Sequence, residues 1–331
     1  MSIFELAPGE SAKAANVARR ASTAPAELTV IVVTWNTRDL TLRCLETLFD
    51  NTPNLSMRVI VADNGSEDGS AEAIAERFPQ VDLIRNECDF GFARANNEAM
   101  KLVDSEWALL LNPDTEVRPN AINNLLAFSK HHPEAGVTGG RTVFPDGSLN
   151  PGSAWNNMTP WSLFCFLTGL NKILRRSEVF NPEAIGGWQR DTVRRVDVVQ
   201  GSFFMVPTTL WRKLEGFDRR YFMYGEEADL CLRAAALGYR PMITPDAEIM
   251  HLGGASAPRG VRLLQNWTAK TTLIRGHWPK TMVPVGLSEL WLSCATRAFA
   301  AAALRRLAGR DAVSDDWVMM WARRREWLQG Y

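Results

Sequence analysis

Histidine is scarce in this 331-residue chain, and cysteine never falls into a C-x-x-C pair: there are four of the first and five of the second. A zinc-ribbon or thioredoxin-like chemistry is therefore excluded. The cysteines, Cys44, Cys88, Cys165, Cys231 and Cys294, are odd in number, and four of them sit inside apolar or helical stretches. That is the usage of a reducing compartment, where cysteine is a small buried hydrophobe. Net charge is absent as well, since 37 basic residues balance 37 acidic ones, which argues against nucleic acid as a partner bound through bulk charge. Residues 1–27 lack an apolar h-region and are expected to be a flexible leader with no secretory signal. No apolar run is a clean membrane span: 161–170 is too short, and 290–304 is interrupted by Arg297 and preceded by Glu289. The expected location is the cytoplasm, with a peripheral position on the inner face of the membrane suggested by the tail. There Arg305, Arg306, Arg310, Arg323, Arg324 and Arg325 mix with Trp317, Trp321 and Trp327, which suits a membrane surface as well as it suits a solvated helix with packed tryptophans.

What is present is a regular alternation. The β-branched run 29–33 reads as a buried parallel strand, and 59–62, 81–84 and 107–111 as further strands. Between and after them, helices are expected over 38–49, 68–78 with Asp68 as its cap, 93–103 and 119–131. This is a βαβ pattern, an α/β fold with a mostly parallel central sheet. The expected organisation is a nucleotide-binding α/β unit over 28–140, an acceptor-binding and catalytic part over 141–258, and a helical region over 259–331. Residues 143–157 read as a long loop, 196–206 as a strand pair, and 226–237 as a helix stopped by Gly238.

Ligands on such sheets bind beyond the carboxyl ends of the strands. Glycine is missing from the first of these ends, Thr34-Trp35-Asn36, so a dinucleotide fingerprint is excluded. Thr34 and Asn36 can hydrogen-bond a base or ribose, or Asn36 can simply cap the next helix. The second end carries Asp63-Asn64-Gly65-Ser66, an acceptor for base or ribose or an ordinary turn. After the third, Gly91 permits a tight turn into a helix whose first turn holds Arg94, where a cation suits a bound phosphate; alone, an exposed surface arginine is favoured. The fourth ends in Asn112-Pro113-Asp114, a carboxylate able to hold a hard cation between two phosphates, or a Pro-Asp turn.

Val32-Val33-Thr34-Trp35-Asn36, Asp63-Asn64-Gly65-Ser66, Gly91-Phe92-Ala93 with Asn97, and Leu110-Leu111-Asn112-Pro113-Asp114 occur in that order. As an ordered set they resemble family 2 glycosyltransferases, with the nearest look to bacterial rhamnosyltransferase-like members that build surface polysaccharides. The resemblance runs over about residues 28–255. It implies a GT-A fold. It also implies a nucleoside diphosphate sugar (dTDP- or UDP-linked, with L-rhamnose first in line) held by Thr34, Asn36, Asp63, Asn64, Arg94, Asn97 and Asn112. The family's D-x-D is here Asn112-Pro113-Asp114, and the resemblance implies Mn²⁺ or Mg²⁺ on Asp114. His251, which precedes Leu252-Gly253-Gly254-Ala255-Ser256, reads alone as a packed strand-end histidine; the resemblance implies that it completes the metal and diphosphate site.

Glu226, Glu227 and Asp229 crowd the start of one helix, with Asp229 spaced to pair with Arg233. Alone, this is an acidic helix start favoured by the helix dipole. The resemblance makes the cluster catalytic and implies Glu227 as general base, with Glu226 able to exchange roles. Gly201 and Ser202, in the strand pair, are expected on the acceptor side, the acceptor being a glycan or a polyprenyl-linked sugar. A sugar-nucleotide nucleotidyltransferase is the alternative enzyme class, but it wants a glycine-rich basic loop after the first strand. A non-catalytic nucleotide-sugar binder would not need the three acids.

Overall fold

A computed structural model describes residues 26–253, 258–308 and 315–331; most of the expected leader, Gly254 to Ser256 and Arg310 lie outside the described residues. The chain begins with the alternation the sequence pattern predicts: β1 (Leu28–Thr34), α1 (Arg38–Asn51), β2 (Met57–Asp63), α2 (Ser70–Arg77), β3 (Asp82–Arg85), α3 (Gly91–Met100), β4 (Trp107–Leu111), although Gly69 rather than Asp68 holds the cap position of α2. Then follow β5 (Thr115–Val117), α4 (Ala121–His131), β6 (Thr138–Val143), β7 (Ala154–Trp155), α5 (Pro160–Thr168), α6 (Leu170–Ile173), β8 (Arg194–Arg195), β9 (Val198–Val199), β10 (Phe203–Pro207), α7 (Thr208–Lys213), α8 (Glu226–Ala236) and β11 (Met242–His251). Helices α9 (Arg259–His277), α10 (Val283–Ala308), α11 (Asp316–Ala322) and α12 (Arg324–Trp327) complete it.

Among the described residues, nine strands form one sheet in the order β3-β2-β1-β4-β10-β6-β11-β5, with β8 also paired to β11. The register makes β1 to β4, β6 and β11 run one way, while β10, β5 and β8 run against them. The sheet is thus mostly parallel, and it draws strands from both sides of residue 140. Every residue of β1 is buried. Ile31 and Val33 face one core cluster, and Leu28, Val30 and Val32 the other. Each such aliphatic contributes roughly 1.5–3 kcal/mol when fully buried, which is why the strand is a continuous apolar run rather than an alternating one.

The expected strand pair over 196–206 is two strands in two sheets. β9 joins β7, and β10 enters the main sheet antiparallel between β4 and β6. The expected loop over 143–157 contains β7, held from below by a buried arginine. Arg190 donates to the carbonyls of Trp188 (2.8 Å), Ala184 (2.9 Å), Pro151 (3.0 Å) and Ala154 (3.2 Å). One guanidinium, with its planar fork of donors, thereby ties residues 151–154 to 184–188.

Replacing Arg190 by Met leaves these buried carbonyls without donors and should destabilise the protein by on the order of 3 kcal/mol, read as a lower urea midpoint; an unchanged midpoint would show that the guanidinium staple is dispensable.

Candidate active site

Strands running one way place their carboxyl ends on one edge of the sheet, and antiparallel β10 starts from that same edge. A cleft of about 190 Å³ opens there, walled by Thr34 and Trp35 after β1, Asn64 after β2, Asn112 and Asp114 after β4, His251 and Gly253 at the end of β11, and Gln200 to Ser202 before β10. Glu226 and Glu227 close it from α8.

The acidic wall depends on a backbone turn. Tyr224 and Gly225 both have left-handed conformations, with φ of 69° and 88°. A Cβ at Gly225 would sit 3.0 Å from both the Ala269 methyl and the Tyr221 ring, so glycine is required where the chain swings into α8. The turn packs α8 against α9 and puts Glu226 and Glu227 into the first helical turn. Glu227 Oε2 accepts from the Gly225 N–H at 3.1 Å. Glu226 is buried, and its Oε2 has no partner. Burial, then the charges of Glu227 and Asp229, push Glu226 well above the usual carboxylate range. Burial also raises Glu227, against the N–H groups at the helix start.

Opposite them, Asp114 Oδ1 lies 3.2 Å from His251 Nε2, and its Oδ2 accepts from the Gly253 N–H at 3.0 Å. Burial raises this carboxyl, but the hydrogen bond and charge of His251 outweigh it and hold Asp114 below its ordinary value. His251 is buried, and its Nδ1 has no partner. Asn112 Oδ1, also buried at the cleft wall, is likewise unpartnered. Among the described residues no group of three or more His, Cys, Asp or Glu gathers for a metal. The chain offers one carboxylate and one imidazole, the donor set of a cation that takes its remaining ligands from phosphates and water.

The other expected site residues divide. Asn64 lines the cleft, donating to Asp89 Oδ1 at 3.1 Å and accepting from Asn86 at 2.8 Å. Asp63 lies beside it; one oxygen accepts from the Ser66 N–H and the other is buried without a partner, and burial raises its pKa. Gly201 and Ser202 line the cleft, and Asn112 N–H donates to the Ser202 carbonyl at 3.1 Å. Thr34 reaches the cleft, but its hydroxyl is engaged with Thr37 and Thr41 at 3.0 and 2.8 Å.

Four residues are placed elsewhere. Asn36 stitches two loops together, its Oδ1 accepting from Glu67 N–H at 2.8 Å and its N–H donating to Ser66. Arg94 is exposed, with its guanidinium 3.9 Å over the Phe90 ring. Asn97 binds both backbone groups of Phe217, at 2.8 and 2.9 Å, and so ties α3 to the loop before α8. Asp229 turns away from the cleft: it pairs with Arg233 at 2.7 Å, as its spacing predicts, and with His277 Nε2 at 2.8 Å. Helical geometry explains this, since Asp229 lies about 200° around α8 from Glu227.

Sequence reasoning missed Asp89, Gln200, Met223, Tyr224 and Arg262 in the lining, and it read Phe92 only as part of a motif. Arg262 comes from α9, which reads in sequence only as one of several tail helices. Asp89 carries a local signal, an Asx turn onto the Gly91 N–H at 2.8 Å.

With this geometry in hand, the comparisons decide the family. The model of glycosyl transferase family 2 matches residues 29–196, half of the chain. The chain belongs to glycosyl transferase family 2. It is 30% identical over 238 residues to the N-acetylglucosaminyl-diphospho-decaprenol L-rhamnosyltransferase of Mycobacterium tuberculosis strain H37Rv, covering 68% of this chain and 75% of that one. It is 27% identical over 240 residues to the rhamnosyltransferase WbbL of Escherichia coli K12, covering 67% and 82%. Among solved structures, mannosyltransferase PcManGT from Pyrobaculum calidifontis in complex with GDP-Man and Mn²⁺ matches 93% of this chain and 84% of its own, with a TM-score of 0.54 at 19% identity. The fold is the GT-A type that the strand pattern and motifs implied, and this glycosyltransferase has its acidic cleft on the carboxyl edge of the sheet.

The raised carboxyl of Glu226 has a consequence for stability. Below its ordinary value of 4.5 the side chain is protonated in both folded and unfolded states. As pH rises, the unfolded chain ionises first, so the folded state loses stability until its own raised value is passed. Glu226→Gln removes this loss. Thermal midpoints of metal-free protein taken from about pH 4 to about pH 8 should fall for the wild type relative to Glu226→Gln; parallel profiles would mean that Glu226 is not held protonated by the fold.

Proposed function

We propose that this chain is an inverting, metal-dependent sugar transferase that moves L-rhamnose from a dTDP- or UDP-linked donor to a glycan or polyprenyl-linked acceptor in cell-surface polysaccharide synthesis. The observation that carries the reading is the pairing, across one cleft, of an acidic helix start (Glu226, Glu227) with an Asp114–His251 couple whose imidazole keeps an unused, buried nitrogen. The rhamnosyltransferase names of the two bacterial relatives support the sugar, and the decaprenol in one of them supports a polyprenyl acceptor. Such an acceptor would bring the enzyme to the inner face of the cytoplasmic membrane.

In this reading Mn²⁺ or Mg²⁺, held by Asp114 and His251, would neutralise charge on the leaving diphosphate. Asp63, with its unpartnered oxygen, accepts from the nucleoside, and Asn64 and Asn112 flank the donor. Arg262 supplies the cation that faces the acids from α9. Glu227 is half-buried, with one oxygen anchored on the Gly225 N–H, and takes the proton of the acceptor hydroxyl as that oxygen bonds to the anomeric carbon; the electron pair of the broken bond leaves with the diphosphate. Buried Glu226, pushed toward its protonated form, places no second negative charge beside Glu227, and burial raises the affinity of Glu227 for that proton. Gly201, close to Phe92 and the Glu227 stem, and Ser202 form the acceptor side.

Glu227→Gln should lower turnover by about a hundred- to ten-thousand-fold while leaving nucleotide-sugar binding by calorimetry intact; near-wild-type turnover, with Glu226→Gln inactive instead, would move the base by one residue. Excess chelator should abolish release of nucleoside diphosphate, and Asp114→Ala should weaken donor binding measured with metal present. Full activity in chelator would end the metal-dependent reading.

A further inference from the structure

Helix α10 is apolar on two opposite sides. Leu290, Cys294, Ala295, Ala298 and Ala301 face inward and are buried. On the outside Val285, Leu292, Phe299 and Leu307 recur two helical turns apart; Phe299 is 70% and Leu307 86% exposed, and Leu304 beside them is 50% exposed. A helix that is apolar all round normally lies in a core or in lipid, yet no helix of the described residues is long and apolar enough to cross a membrane. The single acid along α10, Glu289, is pushed up to about 7 by burial. A shallow groove lined by Leu287, Trp291, Leu292 and Leu328 runs along this side.

Helix α5 packs next to α10, with Arg297 of α10 donating to the Phe166 carbonyl at 2.6 Å and its guanidinium 4.1 Å over the Phe166 ring. The segment that continues from α5 is exposed for five residues in a row, Lys172-Ile173-Leu174-Arg175-Arg176, with Ile173 76% exposed. Trp161 and Phe164 are exposed on α5 and stack with ring centroids 5.6 Å apart. Apolar side chains that alternate with cations, bordered by an indole, match the boundary between acyl chains and anionic headgroups.

Of the tail tryptophans that suggested a membrane in the sequence, Trp317 and Trp327 are packing groups, while half-buried Trp321 sits against Trp291 and Phe299 of α10. Trp327 is fully buried, and Trp317 and Trp327 both pack edge-on to Trp267. Arg323 is paired with Glu326.

We propose that the outer face of α10, together with the α5–α6 segment and Lys172, Arg175 and Arg176, docks on an anionic lipid bilayer. The surface deepens the lipid-linked acceptor reading by naming where the enzyme meets its membrane, and it has a readout that needs no transfer. The full chain is floated with vesicles of phosphatidylcholine containing about 30% phosphatidylglycerol, and with pure phosphatidylcholine, at low and high salt. Wild type should float with the anionic vesicles at low salt and less with neutral ones. The double variants Phe299→Glu with Leu307→Glu, and Arg175→Glu with Arg176→Glu, should each bind about tenfold more weakly or worse, with the wild-type thermal midpoint and wild-type donor hydrolysis.

Wild type that stays in the supernatant, or variants that float as well as wild type, would overturn the proposal. So would a concentration-dependent dimer abolished by the same variants without vesicle binding, which assigns the face to a second copy of the chain. Vesicle binding without any sugar transfer would sink the functional reading and leave the docking surface standing; transfer to a soluble acceptor without vesicle binding would do the reverse.

Discussion

Two carboxylates occupy the first turn of one buried helix, and the cleft is arranged around the difficulty of keeping them there. A buried carboxylate is destabilised unless it is hydrogen-bonded or protonated. Glu227 has the Gly225 N–H and the positive end of α8; Glu226 is buried with its Oε2 unpartnered, and burial pushes it toward its protonated form. The turn at Tyr224 and Gly225, the Ala269 methyl on α9 and the Tyr221 ring fix where the pair points. The third acid, Asp229, is spent elsewhere. Its bonds to Arg233 and His277 fasten α8 to the end of α9, and Arg233 in turn donates to the carbonyls of Leu214 and Gly216. One acidic cluster therefore serves two purposes, with Asp229 turned about 200° around α8 from Glu227.

The second constraint is directional. Because β1, β2, β4, β6 and β11 share a direction, their carboxyl ends meet at one edge. The insertion of antiparallel β10 between β4 and β6 brings the 200–202 loop to that same edge. Residues more than a hundred positions apart, such as Asp114 and His251, become neighbours through register alone, since His251 pairs with Thr115 across β11 and β5. The Asp114–His251 couple thus follows from the sheet topology, and α8 brings its acids to the same edge.

The first half of the fold was legible because β1 to β4 are continuous apolar runs separated by periodic helices, a pattern with few alternatives. In the second half the helix over 226–237 and the helical region after 259 were legible, but the strands β6 and β11 were not. β6 holds two consecutive glycines, and β11 carries Pro245 and a register shift between Thr244 and Glu248, which hides its period. At the cleft, Asn64, Asn112 and Asp114 next to strand ends were legible, and so were Glu226 and Glu227 at the start of α8; all five line it. Asn36, Arg94 and Asn97 sit at motif positions, but their side chains serve the loops and helices around them. A motif locates a backbone position; which way the side chain points depends on contacts from distant segments. Arg262 shows the converse, because no local pattern marks a helical arginine as part of a cleft built by other elements.

Single displacement at the anomeric carbon is the chemistry proposed for the cleft between Glu227 and the Asp114–His251 couple, and product stereochemistry reads it directly. A donor of known anomeric configuration, incubated with enzyme, metal and a soluble acceptor, gives a glycoside whose anomeric proton coupling can be followed by NMR before equilibration. Attack by an acceptor deprotonated at Glu227 yields the inverted configuration. A product that retains the donor's configuration would contradict it.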